Sequence, residues 1–176
     1  MESPERKLNR LKNYDYSRNG LYFITICTKD RIHYFSEIIE EPSCVGADII
    51  RPKTVLTNIG KILDDSINDI KNHYDNISVV KYCIMPDHLH MIIYLFDDGI
   101  VLSGTSRTPS PTNAVIPSIV STLKRFVNKK IGFNTWQRSF HDHIIRNEKE
   151  FLEICDYIDN NPINWVNDIY NQNYWR

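Results

Sequence analysis

The sequence predicts an α+β protein in which helices pack on one face of an antiparallel sheet. Short segments rich in β-branched and aromatic residues alternate along the chain with segments whose apolar residues recur at helical spacing. Two neighbouring strand segments are separated only by a proline and an aspartate, which is typical of a tight antiparallel connection. The resulting order of strand, helix, strand, strand, helix, strand and helix is close to the ferredoxin-like or RRM-like plan.

Length and composition are those of an ordinary soluble globular protein. The chain has 176 residues, of which 41% are hydrophobic and 24% charged, so one domain with a sizeable core is expected. The four cysteines are far apart and form no CxxC pair, which favours a reducing, cytoplasmic setting over a disulfide framework. Neither a signal segment nor an apolar run long enough to span a membrane is present, so no membrane association is expected.

The first half of the chain contains one strand and one helix in this prediction. Residues 1–19 form a basic N-terminal arm, and residues 21–28 form a buried strand. Residues 29–55 are expected to be an irregular loop excursion, in which short extended pieces can occur, because two prolines and a glycine interrupt them. A helix begins at Thr57 or Asn58 and runs to about Asn72. Its apolar positions recur at helical spacing: Ile59, Ile62, Leu63, Ile67 and Ile70.

The second half is predicted to contain a hairpin, a helix, a strand and a final helix. Strands at 77–85 and 88–96 flank the tight connection, and residues 97–116 form a flexible loop. A helix at 118–130 and a strand at 135–146 follow. The last helix, at 148–160, is expected to end before Pro162 because proline disfavours helical geometry in the residue before it. We therefore predict one domain over 20–165, with loop insertions near 29–55 and 97–116, and a tail at 166–176. Four aromatic residues around that tail are expected to dock on the domain: Trp165, Tyr170, Tyr174 and Trp175.

Two histidines lie in the predicted strand at 88–96. Residues i and i+2 of a strand point to the same face, so His88 and His90 are expected to project together while Leu89 and Met91 face a core. Two imidazoles on one face can converge on a metal ion. A His-x-His pair on its own is also typical of two half-exposed strand histidines, so this motif needs support from elsewhere in the chain.

The last predicted helix carries Tyr157 and Asn161, which lie four residues apart and are therefore neighbours on one helix face. That face borders the apolar stripe of the helix, so both side chains can look into a cleft between helix and sheet. The alternative is a tyrosine ring packed at the margin of the core, with Asn161 acting as the helix C-cap.

A basic segment separates these two motifs. The formal net charge of the chain is −1, yet residues 107–146 contain seven basic residues and one acid. Such a segment can contact nucleic-acid phosphates, although a solvated helix face is the alternative. The candidate DNA-binding residues in it are Lys124, Arg125, Lys129, Lys130, Arg138 and Arg146.

Three separated blocks, residues 85–90, 136–146 and 157–162, together resemble the HUH superfamily of single-strand DNA nucleases. Within it the chain is similar to the single-tyrosine transposases, and most of all to the REP-associated tyrosine transposase branch. The blocks occur in the family's order, and the resemblance covers most of residues 18–165. One departure is Asp87, where the family usually has asparagine. This carboxylate either lies near the metal ion or shapes the turn, and the turn is the favoured interpretation.

The resemblance implies both a mechanism and a site. It assigns His88, His90 and Asn161 as ligands of a divalent metal, Mg²⁺ or Mn²⁺, and Tyr157 as the nucleophile. Attack on a phosphodiester of single-stranded or hairpin DNA would form a 5′-phosphotyrosyl intermediate and a free 3′-hydroxyl. His141 and His143 are expected to face DNA phosphates or the rim of the site rather than to bind the metal. Relatives include dimers, so a homodimer is possible.

Two other functions remain open at this point. One is a noncatalytic nucleic-acid-binding module, in which exposed aromatics on an RRM-like sheet (Tyr22, Phe23 and Tyr82 are the candidates) stack on bases. The other is a metal-dependent nuclease that uses water in place of Tyr157. The water-based nuclease predicts that Tyr157→Phe retains cleavage, whereas the transferase predicts that cleavage is lost.

Overall fold

The computed structural model describes residues 18–41, 51–96 and 115–167. The predicted N-terminal arm and most of the predicted 97–116 loop lie outside the described residues. So do Tyr170, Tyr174 and Trp175 of the predicted tail.

Six strands and three α-helices are formed by the part of the chain that the structure describes. The strands are β1 (Gly20–Cys27), β2 (Ser36–Glu41), β3 (Arg51–Leu56), β4 (Ile77–Ile84), β5 (His88–Leu95) and β6 (His141–Ile145). The helices are α1 (Asn58–Asn68), α2 (Val115–Ile131) and α3 (Glu148–Asn167). Thr57 caps α1, because its side chain accepts a hydrogen bond from the backbone N–H of Gly60. None of these helices is long and apolar enough to cross a membrane.

The main sheet has four strands in the order β4-β5-β1-β6, and each neighbouring pair is antiparallel. The central strands β5 and β1 pair in a register that places Cys27 opposite His88 and Thr25 opposite His90. The predicted hairpin between β4 and β5 is present, with its connection at Pro86 and Asp87. The sheet therefore brings the two histidines into its middle, next to side chains of β1.

The predicted class, an antiparallel sheet with packed helices, is confirmed, but the helices cover both faces of the sheet. One face carries the main apolar core, to which α1 and α2 contribute Leu63, Ile67, Leu123 and Val127. The other face is covered by α3, whose Ile158 packs with Ile92 of β5 and Ile145 of β6. Expecting all helices on one face was thus wrong for α3. The physical reason lies in β5, which is apolar on both sides and so needs cover on both.

Two parts of the segment predicted to be a loop excursion with short extended pieces form paired strands, and this pairing was not predicted. Strands β2 and β3 pair antiparallel as a separate two-stranded sheet. Contacts with the rest of the fold hold this hairpin in place, since Ser36 Oγ donates to the carbonyl of Ile84 and the Thr57 N–H donates to the carbonyl of Phe35. Pro52 is compatible with β3 because, within the described residues, this strand pairs on one side only.

The last strand and the last helix also differ from prediction. Strand β6 is shorter than the predicted 135–146. Residues 135–140 instead cross the end of β1, where Trp136 forms an isolated bridge with Thr28. The expectation that the last helix ends before Pro162 was wrong, because α3 continues to Asn167. The extra turn places the ring of Trp165 against His33 and His88, and this contact stabilises helical geometry beyond the proline.

Candidate active site

His88 and His90 lie on the sheet face that α3 covers. Their ring centroids are 4.5 Å apart and the rings are steeply inclined to each other. They are 9% and 5% exposed, so neither behaves as a half-exposed surface histidine. The structure thus places two buried imidazoles side by side in the centre of the sheet.

His90 is held on three sides. Its Nδ1 lies 2.8 Å from Thr25 Oγ1, the residue directly opposite on β1. The ring of Phe23 stacks on it at 5.3 Å, and its Nε2 lies 3.3 Å from the hydroxyl of Tyr157. Burial, with a smaller contribution from the charges of His88 and Arg31, lowers the pKa of His90 to about 3. The imidazole is therefore neutral near pH 7 and keeps a lone pair for a proton or a metal ion.

His88 is held by a carboxylate. Its Nδ1 lies 2.6 Å from Asp87 Oδ1, while Asp87 Oδ2 lies 3.2 Å from Nη1 of Arg31. Burial alone would raise the pKa of Asp87, but the hydrogen bond from His88 and the nearby positive charges lower it overall. Asp87 is thus a buried, ionised residue that contacts both a histidine and an arginine.

Helix α3 places Tyr157 over His90 and carries Asn161 one turn further along. Ile158 anchors the helix to the sheet, and Asn161 follows one turn later with an exposed fraction of 5%. Tyr157 is 45% exposed, and its ring meets that of Phe23 edge-on at a centroid distance of 6.1 Å. The tyrosine hydroxyl therefore lies between buried imidazoles and solvent.

The imidazole nitrogens of His88 and His90 and the amide oxygen of Asn161 are donor atoms that suit a divalent cation of intermediate hardness. Among the described residues, no group of three or more His, Cys, Asp or Glu side chains could hold a metal. Nδ1 of each imidazole is engaged, which leaves Nε2 as the nitrogen that would face a metal ion, and Nε2 of His90 also contacts the Tyr157 hydroxyl. Asn161 adds an amide that is 5% exposed. Two imidazoles and an amide oxygen would leave coordination positions open for a substrate.

The histidines of β6 share the face of the site. In the register with β1, His141 lies opposite Thr25 and His143 opposite Phe23. Both are exposed, and His143 Nε2 lies 2.6 Å from Glu150 Oε1 at the start of α3. Glu150 also accepts a hydrogen bond from the backbone N–H of Arg146, so its carboxylate is engaged at the helix N-terminus.

The basic residues of α2 lie away from the histidines, because α2 packs on the opposite sheet face. Lys124 donates to the carbonyls of Gln137 and Ser139 at 2.8 Å each, and burial lowers its pKa to about 8. The remaining basic residues of the candidate DNA-binding set are exposed: Arg125, Lys129, Lys130, Arg138 and Arg146. Of these, Arg138 lines a cavity of about 500 Å³ together with Lys29 and Lys124.

None of the three aromatics that a nucleic-acid-stacking sheet would need is fully exposed, since Tyr22 is buried and Phe23 and Tyr82 are half-buried. Tyr22 is fully buried in the main core. Phe23 lies under α3 against His90, and the Tyr82 hydroxyl donates to Asp64. The sheet therefore offers none of these three rings as a free stacking surface.

Several residues that contact the site histidines were not predicted from the sequence. Thr25 and Phe23 contact His90 only because β1 pairs with β5, and the β1 sequence contains no polar motif that signals this. Arg31 and Trp165 approach His88 from distant parts of the chain. Asp87 alone carried a signal, as a departure from the resembled family.

Comparison with known proteins gives relatives over most of the chain, although no protein-family model matches it. An uncharacterised protein of Haemophilus influenzae is 34% identical over 176 residues, covering 93% of this chain and 91% of that protein. A proposed REP-associated tyrosine transposase of the same organism is 27% identical over 157 residues, covering 87% and 77%. The solved structure of a REP-associated tyrosine transposase bound to a REP hairpin superposes with a TM-score of 0.61 at 21% identity. That superposition covers 88% of this chain and 73% of the other.

The fold is that of the solved REP-associated tyrosine transposase. The resemblance to this family that the three sequence blocks predicted is confirmed by the similarity to a proposed REP-associated tyrosine transposase and by the shared fold.

Proposed function

We propose that this chain is a metal-dependent DNA strand transferase that cuts and rejoins single-stranded or hairpin DNA, with Tyr157 as the nucleophile. The observation that carries the proposal is the 3.3 Å distance between the Tyr157 hydroxyl and His90 Nε2. A half-exposed phenol next to two buried imidazoles can meet a DNA phosphate from the solvent side. Similarity to a proposed REP-associated tyrosine transposase supports a DNA-processing enzyme, and the site supports this particular chemistry.

The residues that would hold the metal are His88, His90 and Asn161. A bound Mg²⁺ or Mn²⁺ would neutralise charge that develops on the phosphate during the reaction. The protein's own contribution is to bury both imidazoles, to lower the pKa of His90 so that its ring stays neutral, and to present the tyrosine beside them. Pre-formed positioning of this kind lowers the entropic cost of reaching the transition state.

The proposed step balances without an external energy source. The phenolic oxygen of Tyr157 forms a bond to phosphorus, and the bond between phosphorus and the 3′ oxygen breaks. The phenol loses its proton and the departing 3′ oxygen gains one, which leaves a 5′-phosphotyrosyl link and a free 3′-hydroxyl. That hydroxyl can later attack the link and restore a phosphodiester.

The contacts of α3 support a tyrosine that acts in its own chain. Ile158 packs on the sheet of the same chain, and Lys81 Nζ of β4 lies 2.6 Å from Asp159 Oδ2 of α3. If a homodimer forms, we therefore propose that each copy keeps its own Tyr157.

Hairpin DNA is the proposed partner because one solved relative is bound to a REP hairpin. His141 and His143 lie on the site face, and Arg138 and Arg146 flank β6 on either side. We propose that these four residues contact phosphates next to the cleavage position. Lys124, Arg125, Lys129 and Lys130 are proposed to contact more distant DNA, where interactions with phosphates add affinity without adding sequence information.

The test is covalent capture of labelled DNA. Labelled hairpin oligonucleotides are incubated with wild type, Tyr157→Phe, and Tyr94→Phe as the control, each with Mn²⁺ or with chelator. Tyr94 is a matched control because it is also about half exposed, at 42%, and lies at the far end of β5. We expect the label to migrate with wild type and Tyr94→Phe on a denaturing gel, only with metal, and never with Tyr157→Phe.

Any other outcome of this cleavage assay would indicate a different function for the protein. Cleavage retained in Tyr157→Phe would identify a nuclease that uses water. Tight hairpin binding without cleavage by the wild type would identify a binding module. Mixing Tyr157→Phe with a His88→Ala/His90→Ala double variant tests the chain assignment, and we expect no recovery of cleavage. Recovery would show that the tyrosine acts in the partner's site.

A further inference from the structure

The carboxylate of Asp87 bridges His88 and an arginine from a distant loop. Oδ1 lies 2.6 Å from His88 Nδ1, and Oδ2 lies 3.2 Å from Arg31 Nη1. Asp87 is 5% exposed, whereas the Arg31 side chain is about half exposed. Both carboxylate oxygens are thus engaged, one towards the site and one towards the protein surface.

The backbone around this bridge is fixed by several hydrogen bonds. The N–H of Thr28 donates to the carbonyl of Asp87 at 2.8 Å, and the N–H groups of Tyr34 and Phe35 donate to the carbonyl of Pro86. Arg31 lies in this loop with a φ of 57°, in the left-handed region that non-glycine residues rarely adopt. Such strain persists only where the surroundings determine the conformation. The loop therefore presents Arg31 to Asp87 in a defined geometry.

His88 and His90 have different partners at Nδ1, and these partners influence which ring nitrogen carries the proton. Because Asp87 Oδ2 contacts the Arg31 guanidinium and Oδ1 lies 2.6 Å from His88 Nδ1, this contact favours the His88 tautomer with its proton on Nδ1 and its lone pair on Nε2. His90 instead contacts the hydroxyl of Thr25, which can donate or accept. The contact partner thus favours one tautomer of His88 and leaves that of His90 open.

We propose that Asp87 is a positioning residue that holds His88 in the Nδ1–H tautomer, with Nε2 available to the divalent cation, and that Arg31 holds Asp87 in place. This inference rests on the proposed function, which assigns His88 as a metal ligand. Carboxylates bonded to ligand histidines commonly orient the ring and raise its basicity. Asp87 therefore does more than shape the turn between β4 and β5.

The first measurement reads the tautomer directly, without DNA or metal. Long-range ¹H–¹⁵N spectra of the imidazoles are recorded near neutral pH for wild type, Asp87→Asn and Asp87→Ala. We expect the Nδ1–H signature of His88 in wild type, and a shift toward Nε2–H or a mixture in Asp87→Ala. Asp87→Asn keeps the shape and one acceptor oxygen, so it is expected to fold and to lie between the other two. Asp69→Asn is the matched control, because Asp69 contacts His73 on the surface at 2.9 Å and should leave His88 unchanged.

The second measurement is Mn²⁺ affinity in the absence of DNA. We expect affinity to fall by about 10- to 100-fold in Asp87→Ala, by less in Asp87→Asn and Arg31→Ala, and not at all in Asp69→Asn. An unchanged Nδ1–H signature in Asp87→Ala, or wild-type affinity in that variant, would overturn the proposal. If the tautomer follows Asp87 but the wild type binds no Mn²⁺, the failure lies in the metal assignment of the proposed function, and the role of Asp87 in fixing the ring stands.

Discussion

The two faces of the four-stranded sheet are built for different tasks. The face under α1 and α2 carries a continuous apolar core in which Tyr22, Ile24, Leu89, Met91 and Ile93 are fully buried. The face under α3 has a small apolar cluster and, beside it, the buried polar side chains of the candidate site. Most of the hydrophobic stabilisation therefore lies on the face that takes no part in the proposed chemistry.

This difference explains how α3 can carry a reactive residue. The apolar contacts of α3 are supplemented by an ion pair between Lys81 and Asp159 and by the side-chain contact of His143 with Glu150. Exposed ion pairs add little stability, typically below about 1 kcal/mol each. We infer that α3 is the less firmly held layer, and that its few apolar contacts set the position of Tyr157.

The largest expected effects come from a matched pair of truncations in β5. Met91 and Ile92 are adjacent and fully buried, but they point to opposite faces. We expect Met91→Ala to lower the free energy of unfolding by about 2–5 kcal/mol through loss of burial and formation of a cavity. Ile92→Ala is expected at the low end of that range, with the loss of hydrogen-exchange protection concentrated in α3.

Urea unfolding and amide exchange check this pair. Val80→Ala on the neighbouring strand is the control, because that side chain is exposed and should change stability by no more than about 0.5 kcal/mol. If Met91→Ala and Ile92→Ala both reduce hydrogen-exchange protection equally in all helices and strands, the two faces unfold as one unit and α3 is not the weaker layer.

A smaller effect is expected at Gly60 in α1, on the main-core face. A Cβ placed there would collide with the carbonyl of Phe35, which belongs to the backbone and cannot rotate away. Alanine normally favours a helix interior over glycine by about 1 kcal/mol. Here we expect the opposite sign, with Gly60→Ala destabilising by about 1–3 kcal/mol through overpacking.

The midpoint of thermal unfolding shows whether Gly60→Ala stabilises or destabilises the protein. Lys61→Ala is the control, because Lys61 is an exposed neighbour in the same helix. A stabilised Gly60→Ala would mean that α1 can move away from Phe35 at little cost, and that this face is less tightly closed than the structure indicates.

Local patterns were enough to predict the parts of the fold that depend on neighbours in the chain. The spacing of His88 and His90, the hairpin that contains them and the helical stripe ending at Ile158 all follow from periodicities of two or 3.6 residues. The β2–β3 hairpin escaped prediction because its stability comes from contacts such as Ser36 with Ile84, which lie far apart in sequence.

The surroundings of the site depend even more on distant contacts. Periodicity identified Tyr157 and Asn161 as neighbours, but their facing the histidines depends on α3 crossing the sheet. Arg31 reaches Asp87 through a strained loop, and Trp165 reaches His88 because α3 continues past a proline. Local rules favour the opposite in both cases, because they disfavour a positive φ for arginine and end helices before proline. Tertiary contacts override those preferences, and a single sequence does not show where.

The smallest expected effect concerns the start of α3 and depends on pH. Glu150 accepts hydrogen bonds from the backbone N–H of Arg146 and from His143, and these lower the pKa of its carboxyl group. Because the folded value lies below the unfolded one, the stabilising contribution is complete above the ordinary carboxyl pKa of about 4.3 and is lost as pH falls through the lowered value. Glu150→Gln removes the charge, so its urea midpoint should lie slightly below that of wild type near pH 5.5, and the gap should close near pH 3.

Glu153→Gln in the same helix is the control, because Glu153 has only an exposed contact of 3.7 Å with Lys149 and should show almost no gap at either pH. A gap for Glu150→Gln that persists at pH 3 would mean that glutamine fails to reproduce the cap for reasons of geometry. The α3 face would then depend on the shape of this contact rather than on its charge.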